Sequence, residues 1–455
     1  MAEPIALFGG KPTLAKDAHK KWPDVSEEQR RAILRVLDRG VLSGSNAPES
    51  VAFEEEFADF VGAKYALLAH SGTSALHLAL AAAGIQAGDH VIVPAYSFVA
   101  TPLAVLHAGG IPIFADVDET TGLIDPKEVE SLITSRVRAV MPVHVHGCSA
   151  DLGALFDIAK RHNISIIEDA AQAHGATWNG KPVGALGKAG GFSLQSSKNL
   201  GAGEGGVFVT NDEGIAEEAN RLRNFGQNVA LADRAAFDGD RPLDALRSMD
   251  SSRIGWMYRG NELGAAFART ALEKLPELTR LCQENAAWLS AELSKLPGVL
   301  PPTFPEGATS VHHKYRVRLD AKAAGLDIAP RALREVMIKA LRAEGLEVVL
   351  WQQSPLPAQP TFITREGFGG GFPWSLDRDT DFASLYALSR FSRTQRLLDG
   401  SLLLFSQSCP LIAQPSEIVH EYAKAFARVW SARAELVASV AQKATNASGN
   451  GEARA

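Results

Sequence analysis

A single lysine, Lys198, stands in the run Phe192-Ser193-Leu194-Gln195-Ser196-Ser197-Lys198-Asn199-Leu200-Gly201-Ala202-Gly203-Glu204-Gly205-Gly206. It follows a short apolar, strand-like stretch and precedes a turn too rich in glycine for the interior of a helix or sheet. An amine presented at a strand end is a nucleophile for carbonyl carbon; the same residues also describe a solvated lysine in a flexible loop. Asp169, in Glu168-Asp169-Ala170-Ala171-Gln172-Ala173-His174-Gly175, follows another apolar run. A carboxylate buried there needs a hydrogen-bonding or cationic partner, so it either caps a helix or faces a protonated ligand nitrogen. In His70-Ser71-Gly72-Thr73-Ser74-Ala75-Leu76 a glycine turn and hydroxyl residues open an amphipathic helix, which makes either an anion seat or an ordinary cap. The GxxxxGK[ST] spacing is absent. Tyr96 and Phe98, in the stretch 94–101, either stack on a planar ring or plug the sheet end. His144 and His146 would share one face of a strand, but no third ligand stands near them, and no metal is expected.

These residues need a scaffold that brings strand ends together. Apolar runs at 65–69, 91–93, 111–114, 139–143, 164–167, 191–194 and 207–210 alternate with helical stretches, the pattern of βα units around a mainly parallel sheet. Ligands of such sheets collect beyond the carboxyl ends of the strands, where the residues above fall. Before the sheet, 26–39 reads as a helix with a Ser26 to Gln29 capping box, ended by Gly40. A second helix, 48–60, carries a core stripe of Phe53, Phe57 and Phe60. After 275 the alternation weakens. Helical 278–296 leads through several prolines into a smaller α+β domain, with a helix at 416–442. The expected division is 1–275 for a large domain with its N-terminal arm, 276–442 for the small domain, and 443–455 for a disordered tail.

The chain has 455 residues, 46% hydrophobic and 22% charged, enough to bury a large core. A net charge of -6 gives no general attraction to nucleic acid or anionic membrane, and neither is expected as a partner. Cys148, Cys282 and Cys409 show no metal or disulfide spacing and suit a reducing compartment. With no signal-like or membrane-length apolar segment, a cytoplasmic protein is expected.

One cofactor uses all the groups above. Pyridoxal 5'-phosphate takes an amine for a Schiff base, a carboxylate for its ring nitrogen, a planar neighbour and a phosphate cradle. Lys198, Asp169, Tyr96 or Phe98, and Gly72, Thr73 and Ser74 with Ser193 supply them. The stretches 71–76, 94–101, 142–147, 168–175, 192–199 and 203–206 together resemble the DegT/DnrJ/EryC1/StrS family of sugar aminotransferases, within fold-type I pyridoxal-phosphate enzymes. The resemblance runs over about 24–271 and more weakly to about 430.

The resemblance implies that Lys198 forms the Schiff base and carries the proton, that Asp169 pairs with the pyridine nitrogen, and that Gln172 packs beside the ring near its phenolic oxygen. It makes Thr73, with the amide of Ser74, and Ser193 phosphate ligands. It further implies ping-pong transfer from a small-molecule donor, glutamate or glutamine, to a keto acceptor such as a nucleotide-linked keto-sugar or keto-cyclitol. A homodimer with sites between subunits follows as well. Two other readings stand beside it: a pyridoxal-phosphate dehydratase or aromatising enzyme of the aminodehydroquinate type, and a non-catalytic binding or regulatory relative. Retention of the lysine disfavours the family's sugar dehydratases, where histidine commonly replaces it.

The chain departs from the family in places. Met257 occupies the position of an asparagine that reaches the neighbouring subunit's phosphate, with Arg259 retained and Asn261 nearby. In the strand-like 311–317, which in the family closes over substrate, the histidine-aromatic opening is replaced by Ser310 and His312. The loop 351–374, rich in Pro, Gly and aromatics, is expected to be a substrate-side lid or a partner contact.

Overall fold

The computed structural model describes residues 3–15, 17–44, 47–228 and 250–439. The expected tail 443–455, residues 45 and 46, and most of the polar stretch 227–253 lie outside the described residues.

Every apolar run named above becomes a strand of one sheet. In chain order these are β1 (Tyr65–Ala69), β2 (His90–Pro94), β3 (Ile111–Ala115), β4 (Val137–Val140) and β5 (Ser165–Asp169). A two-stranded ribbon, β6 (Thr177–Trp178) and β7 (Lys181–Pro182), precedes β8 (Ala189–Ser193) and β9 (Gly206–Thr210). The seven-stranded sheet has the order β1-β9-β8-β5-β4-β2-β3. Its pairs from β8 to β3 are parallel, while β9 runs antiparallel to both neighbours. That antiparallel strand starts beside the end of β8, Gly206 against Ser193, and carries the chain away from that edge after the lysine run.

Helices cover the sheet, as the crossover connections of parallel strands require. Helix Gly72–Ala82 packs on β8 and β9. Helix Glu27–Arg39 starts on the expected reciprocal capping box and ends on a left-handed Gly40. It buries Ala32 and Val36 and leaves Leu34 and Leu37 outward, so its apolar spacing does not all face this chain's core. Phe53 and Phe57 of helix Pro48–Val61 are fully buried, and Phe57 meets Phe192 edge-on at 5.0 Å.

Past the sheet, the single helix Glu262–Leu293 runs through position 275, where the sequence places the division between domains. The smaller C-terminal domain holds a four-stranded antiparallel sheet in the order β10-β11-β13-β12: β10 (Val299–Leu300), β11 (Tyr315–Leu319), β12 (Val348–Val349) and β13 (Ser401–Leu404). Helices Pro330–Ala343 and Ser416–Ser431 accompany it.

Two sets of bonds bind this sheet to the rest. Arg316 donates to the carbonyls of Thr120 and Thr121 at 2.9 and 2.8 Å, and Arg318 to that of Glu119 at 2.8 Å. The N-terminal arm is tied by fully buried Glu344, which accepts from the amides of Ala6 and Thr13 at 2.8 and 3.1 Å and from Arg428 at 3.1 Å.

The segment 351–374 is less of a lid than its composition suggests. Phe362 and Trp374 are buried, and Phe362 meets Phe114 of β3 at 5.0 Å. The Trp374 indole donates to Tyr386 at 3.0 Å. Among the described residues no helix is long and apolar enough to cross a membrane.

Candidate active site

A cavity of about 370 Å³ opens beyond the carboxyl ends of β5 and β8, lined among others by Gly72, Thr73, Phe98, Asp169, Gln172, Ser193 and Lys198. Asp169 is the last residue of β5 and Ser193 the last of β8. The run that carries Lys198 is not a free loop. The amides of Leu194 and Ser196 bond to the carbonyls of Gly205 and Gly203 at 2.8 and 2.7 Å, and that of Ala202 returns to Leu194 at 2.7 Å. The indole of Trp22, from the N-terminal arm, donates to the Lys198 carbonyl at 3.1 Å. Asn199 donates to the Val311 carbonyl at 2.9 Å, joining the run to the approach to β11.

Two glycines let the anion end of the cavity form. A Cβ on Gly72 would lie 2.7 Å from the Cβ of Ser193, and one on Gly206 would lie 2.2 Å from the carbonyl oxygen of Ser71. Without side chains there, the first turn of helix Gly72–Ala82 sits against the end of β8, and Thr73 and Ser193 line one wall. The unbonded amides of a helix's first turn favour an anion at this place. Ser74 does not line the cavity. Its amide and hydroxyl are both engaged with Ser71 in a capping box, with bonds of 3.1 and 2.8 Å, so the expected contribution of that amide to an anion is already used within the helix.

Asp169 is 4% exposed. Its Oδ2 accepts from Thr101 at 2.7 Å and its Oδ1 from the amide of Ala171 at 3.1 Å. Burial raises the pKa of this carboxyl, opposed by those donors and by the charge of Lys198. Lys198 responds in the opposite sense: burial lowers its amine to about 8, and Asp169 partly restores it. The two groups face one cavity, each burdened by the loss of water.

The aromatic pair separates. Phe98 is 55% exposed and lines the cavity; Tyr96 is buried, lies outside the lining, and bonds to His146 Nε2 at 2.7 Å. Of the two expected stacking residues, Phe98 faces the cavity and Tyr96 packs at the sheet end. Gln172 lines the cavity, its Oε1 held by the amide of His146 at 2.8 Å.

His144 and His146 do not share a strand face, since Val145–Gly147 is a helical turn and His146 has a left-handed backbone. His144 bonds to Glu168 at 3.0 Å through Nε2 and accepts from the Ala150 amide at 3.0 Å through Nδ1. No cluster able to hold a metal occurs among the described residues. Cys148, Cys282 and Cys409 are buried free thiols.

Met257 is half exposed, and the Asn261 carbonyl accepts from the Gly264 amide at 2.7 Å as a helix cap. Within this chain Asn261 is therefore engaged locally. Arg259 bonds to Asn224 at 3.0 Å.

Several lining residues were not singled out from the sequence. Trp351 is the one residue of 351–374 that lines the cavity, and it meets Tyr96 and His146 edge-on at 5.1 and 4.9 Å. Gln407 enters from the turn after β13, and His313 and Lys314 from the residues before β11. The strand-like signal at 311–317 marked that region without separating the residues that face inward.

An aspartate at the end of β5 and a lysine five residues beyond β8, beside a helix N-terminus on a mainly parallel sheet, are groups that a fold-type I pyridoxal-phosphate enzyme would use. The sequence profile described as the DegT/DnrJ/EryC1/StrS aminotransferase family matches residues 23–394. The chain belongs to that family. It is 36% identical over 370 residues to the L-glutamine:scyllo-inosose aminotransferase of Streptomyces griseus, covering 79% of this chain and 83% of that protein. It is 32% identical over 416 residues to protein MosB of Rhizobium meliloti, covering 90% and 77%. Among solved structures, 3-amino-5-hydroxybenzoic acid synthase superposes with a TM-score of 0.77 at 27% identity, covering 91% of this chain and 99% of that one. DesI, solved in the presence of its TDP-sugar product, superposes with a TM-score of 0.73 at 27% identity, covering 96% and 98%.

The cofactor of this class is pyridoxal phosphate, and the donor set fits it. The close approach of Gly72 to Ser193 leaves room for a phosphate beside Thr73, Asp169 presents a carboxyl acceptor to the cavity, and Lys198 brings a desolvated amine to it.

Proposed function

We propose that this aminotransferase moves an amino group from L-glutamine or L-glutamate to a keto-cyclitol, with Lys198 as its covalent and proton-carrying residue. One observation carries the reading: Lys198 and Asp169, at the ends of neighbouring segments of one sheet, face a common cavity whose far wall is the helix N-terminus at Gly72 and Thr73. The cyclitol is favoured over a nucleotide-linked sugar because relatives at 36 to 38% identity bear the names L-glutamine:scyllo-inosose and L-glutamine:2-deoxy-scyllo-inosose aminotransferase.

When bound, pyridoxal phosphate supplies an aldehyde for a Schiff base with Lys198 and a ring that accepts an electron pair from the substrate carbon. Asp169, oriented by Thr101 and the Ala171 amide, would accept from the ring nitrogen and favour its protonated form. Thr73 and Ser193 would hold the phosphate, and Phe98 and Gln172 would line the ring's place in the cavity. With that group bound, the Lys198 Nζ would be the base that accepts the proton leaving the substrate carbon and the acid that gives it back. An amine held near 8 exchanges protons readily in neutral solution. Donor product leaves before acceptor binds, giving ping-pong kinetics. We place the enzyme in the family's homodimeric form, with residues 1–275 and 276–442 as its two domains.

Reconstitution with pyridoxal phosphate tests the reading. A visible absorbance band absent from Lys198→Ala and bleached by L-glutamine, followed by recovery with scyllo-inosose, is the expected result. A band that no amino acid bleaches overturns amino transfer and favours the dehydratase or aromatising reading, for which the likeness to 3-amino-5-hydroxybenzoic acid synthase is the specific support. No band at all favours the non-catalytic one.

A further inference from the structure

The cavity contains a second lysine to which the cofactor's chemistry gives no role. Lys314 precedes β11, is 9% exposed and lines the same cavity as Lys198. Among the described residues its ammonium makes no ion pair; Asp169 and Glu204, the carboxylates of the lining, belong to the ring-nitrogen position and to the exposed glycine turn. A buried ammonium left without a counter-charge is costly, and a site that keeps one is complete only with an anion in it.

Its position is built. Arg316 and Arg318, two and four residues further along β11, anchor that strand to the carbonyls at 119–121. On the other side, His313 and Asn199 face each other at 3.4 Å, which ties the strand's approach to the Lys198 run. Lys314 is thus held between the small-domain sheet and the reactive lysine. The flanking imidazoles of His146 and His313 are kept neutral, chiefly by burial and then by these cations, so neither supplies a competing charge.

Of the reactants in the proposed reaction, the phosphate has its own seat at Gly72, Thr73 and Ser193, and a keto-cyclitol carries no charge. The amino donor brings an α-carboxylate, which must enter the cavity next to the amine that reacts. We propose that Lys314 binds the α-carboxylate of the amino donor, and so makes the cavity selective for an amino acid in one half-reaction and indifferent to charge in the other. The inference rests on the aminotransferase reading above.

The test uses holoenzyme, with Lys314→Met and Lys314→Arg variants, and reads the two half-reactions separately by the bleaching and recovery of the cofactor band. Loss of a charge-assisted hydrogen bond predicts that Lys314→Met raises the half-saturating concentration of L-glutamine by about tenfold or more. Lys314→Arg restores much of it. The α-carboxamide of glutamine, which lacks the anion, is affected about equally in wild type and Lys314→Met. Recovery of the amino-charged enzyme with scyllo-inosose changes by less than about threefold, the size of an effect without a lost charge contact. Calorimetric binding of glutaramate, a donor skeleton without the amine, weakens in Lys314→Met and gives a readout independent of turnover.

Unchanged L-glutamine saturation in Lys314→Met, equal loss in both half-reactions, or a weakened affinity for pyridoxal phosphate itself would each overturn the proposal. The last outcome would assign Lys314 to the phosphate. Wild-type enzyme that no amino acid bleaches would instead overturn the aminotransferase reading, and this inference with it.

Discussion

Glu168 and Asp169 are adjacent carboxylates on one buried strand, and they have opposite fates. Strand alternation sends them to opposite faces of the sheet. Glu168, fully buried, accepts from His144 at 3.0 Å and from the amides of Gly184 and Gly187 at 2.7 and 2.6 Å. Asp169 accepts from only one hydroxyl and one amide, and opens on the cavity. The first carboxylate is saturated by the fold and fixes the segment 184–187 beneath the sheet. The second is held in place but left short of partners, which is the condition for receiving a cationic N–H from a ligand. Burial alone does not distinguish a functional acid from a structural one; the saturation of its lone pairs does.

Removing each carboxylate tests this difference. Glu168→Ala strands three buried donors and should cost about 3 to 5 kcal/mol of stability, read by denaturant unfolding of cofactor-free protein. Asp169→Asn keeps the shape and the hydroxyl contact and should shift stability by less than about 1 kcal/mol. It should nevertheless lower the transamination rate by about a hundredfold to a thousandfold, the usual effect of deleting one preorganised electrostatic group. Comparable stability losses in the two variants would erase the distinction.

A smaller effect concerns pH. Burial holds the folded-state amine of Lys198 at about 8 against an ordinary 10.5. Between those values the unfolded chain carries the proton and the folded one does not, so the stability of cofactor-free enzyme rises with pH from about 8 upward. Below pH 8 both states are charged and the lysine's penalty is fully present. The rise amounts to at most ~1.4 kcal/mol per pH unit for this residue. Lys198→Met should remove its share, and an unaltered slope in that variant would refute the assignment. Lys314, lowered to about 8 by burial and by Lys198, contributes in the same direction.

The smallest contrast is between the two aromatics. Phe98→Ala should weaken cofactor affinity by about tenfold without changing the melting of the cofactor-free protein. Tyr96→Phe should leave that affinity alone and cost about 1 kcal/mol through its bond to His146. An absorbance titration and a melting curve on each variant separate the two roles.

The strands of the central sheet were legible because each is a short apolar run bounded by turn residues, and the residues at and just beyond their ends, Asp169, Ser193 and Lys198, line one cavity. What the sequence did not reveal depends on direction and distance. Tyr96 and Phe98 are two residues apart with similar chemistry, and only the packing of Trp351 and His146 around Tyr96 separates the plug from the cavity wall. Ser74 looked like an anion ligand because hydroxyl residues serve caps and phosphates alike; its bonds to Ser71 decide for the cap. Helix Glu262–Leu293 runs unbroken through 275, where a domain division was expected, despite Pro276. Trp351, Gln407 and Lys314 reach the site from segments far apart in the chain, and no local pattern marks such convergence.

The bond from the Trp22 indole to the Lys198 carbonyl joins residues 176 positions apart. Glu344 waits for partners that were synthesised more than 330 residues earlier, at Ala6 and Thr13. During synthesis the leading segment therefore emerges long before anything it will hold exists, and such long closures are formed late. The run that carries Lys198 is supported by a residue of the N-terminal arm. It therefore leans on an arm that the C-terminal domain holds in place, so segments far apart in sequence act together on one wall of the cavity.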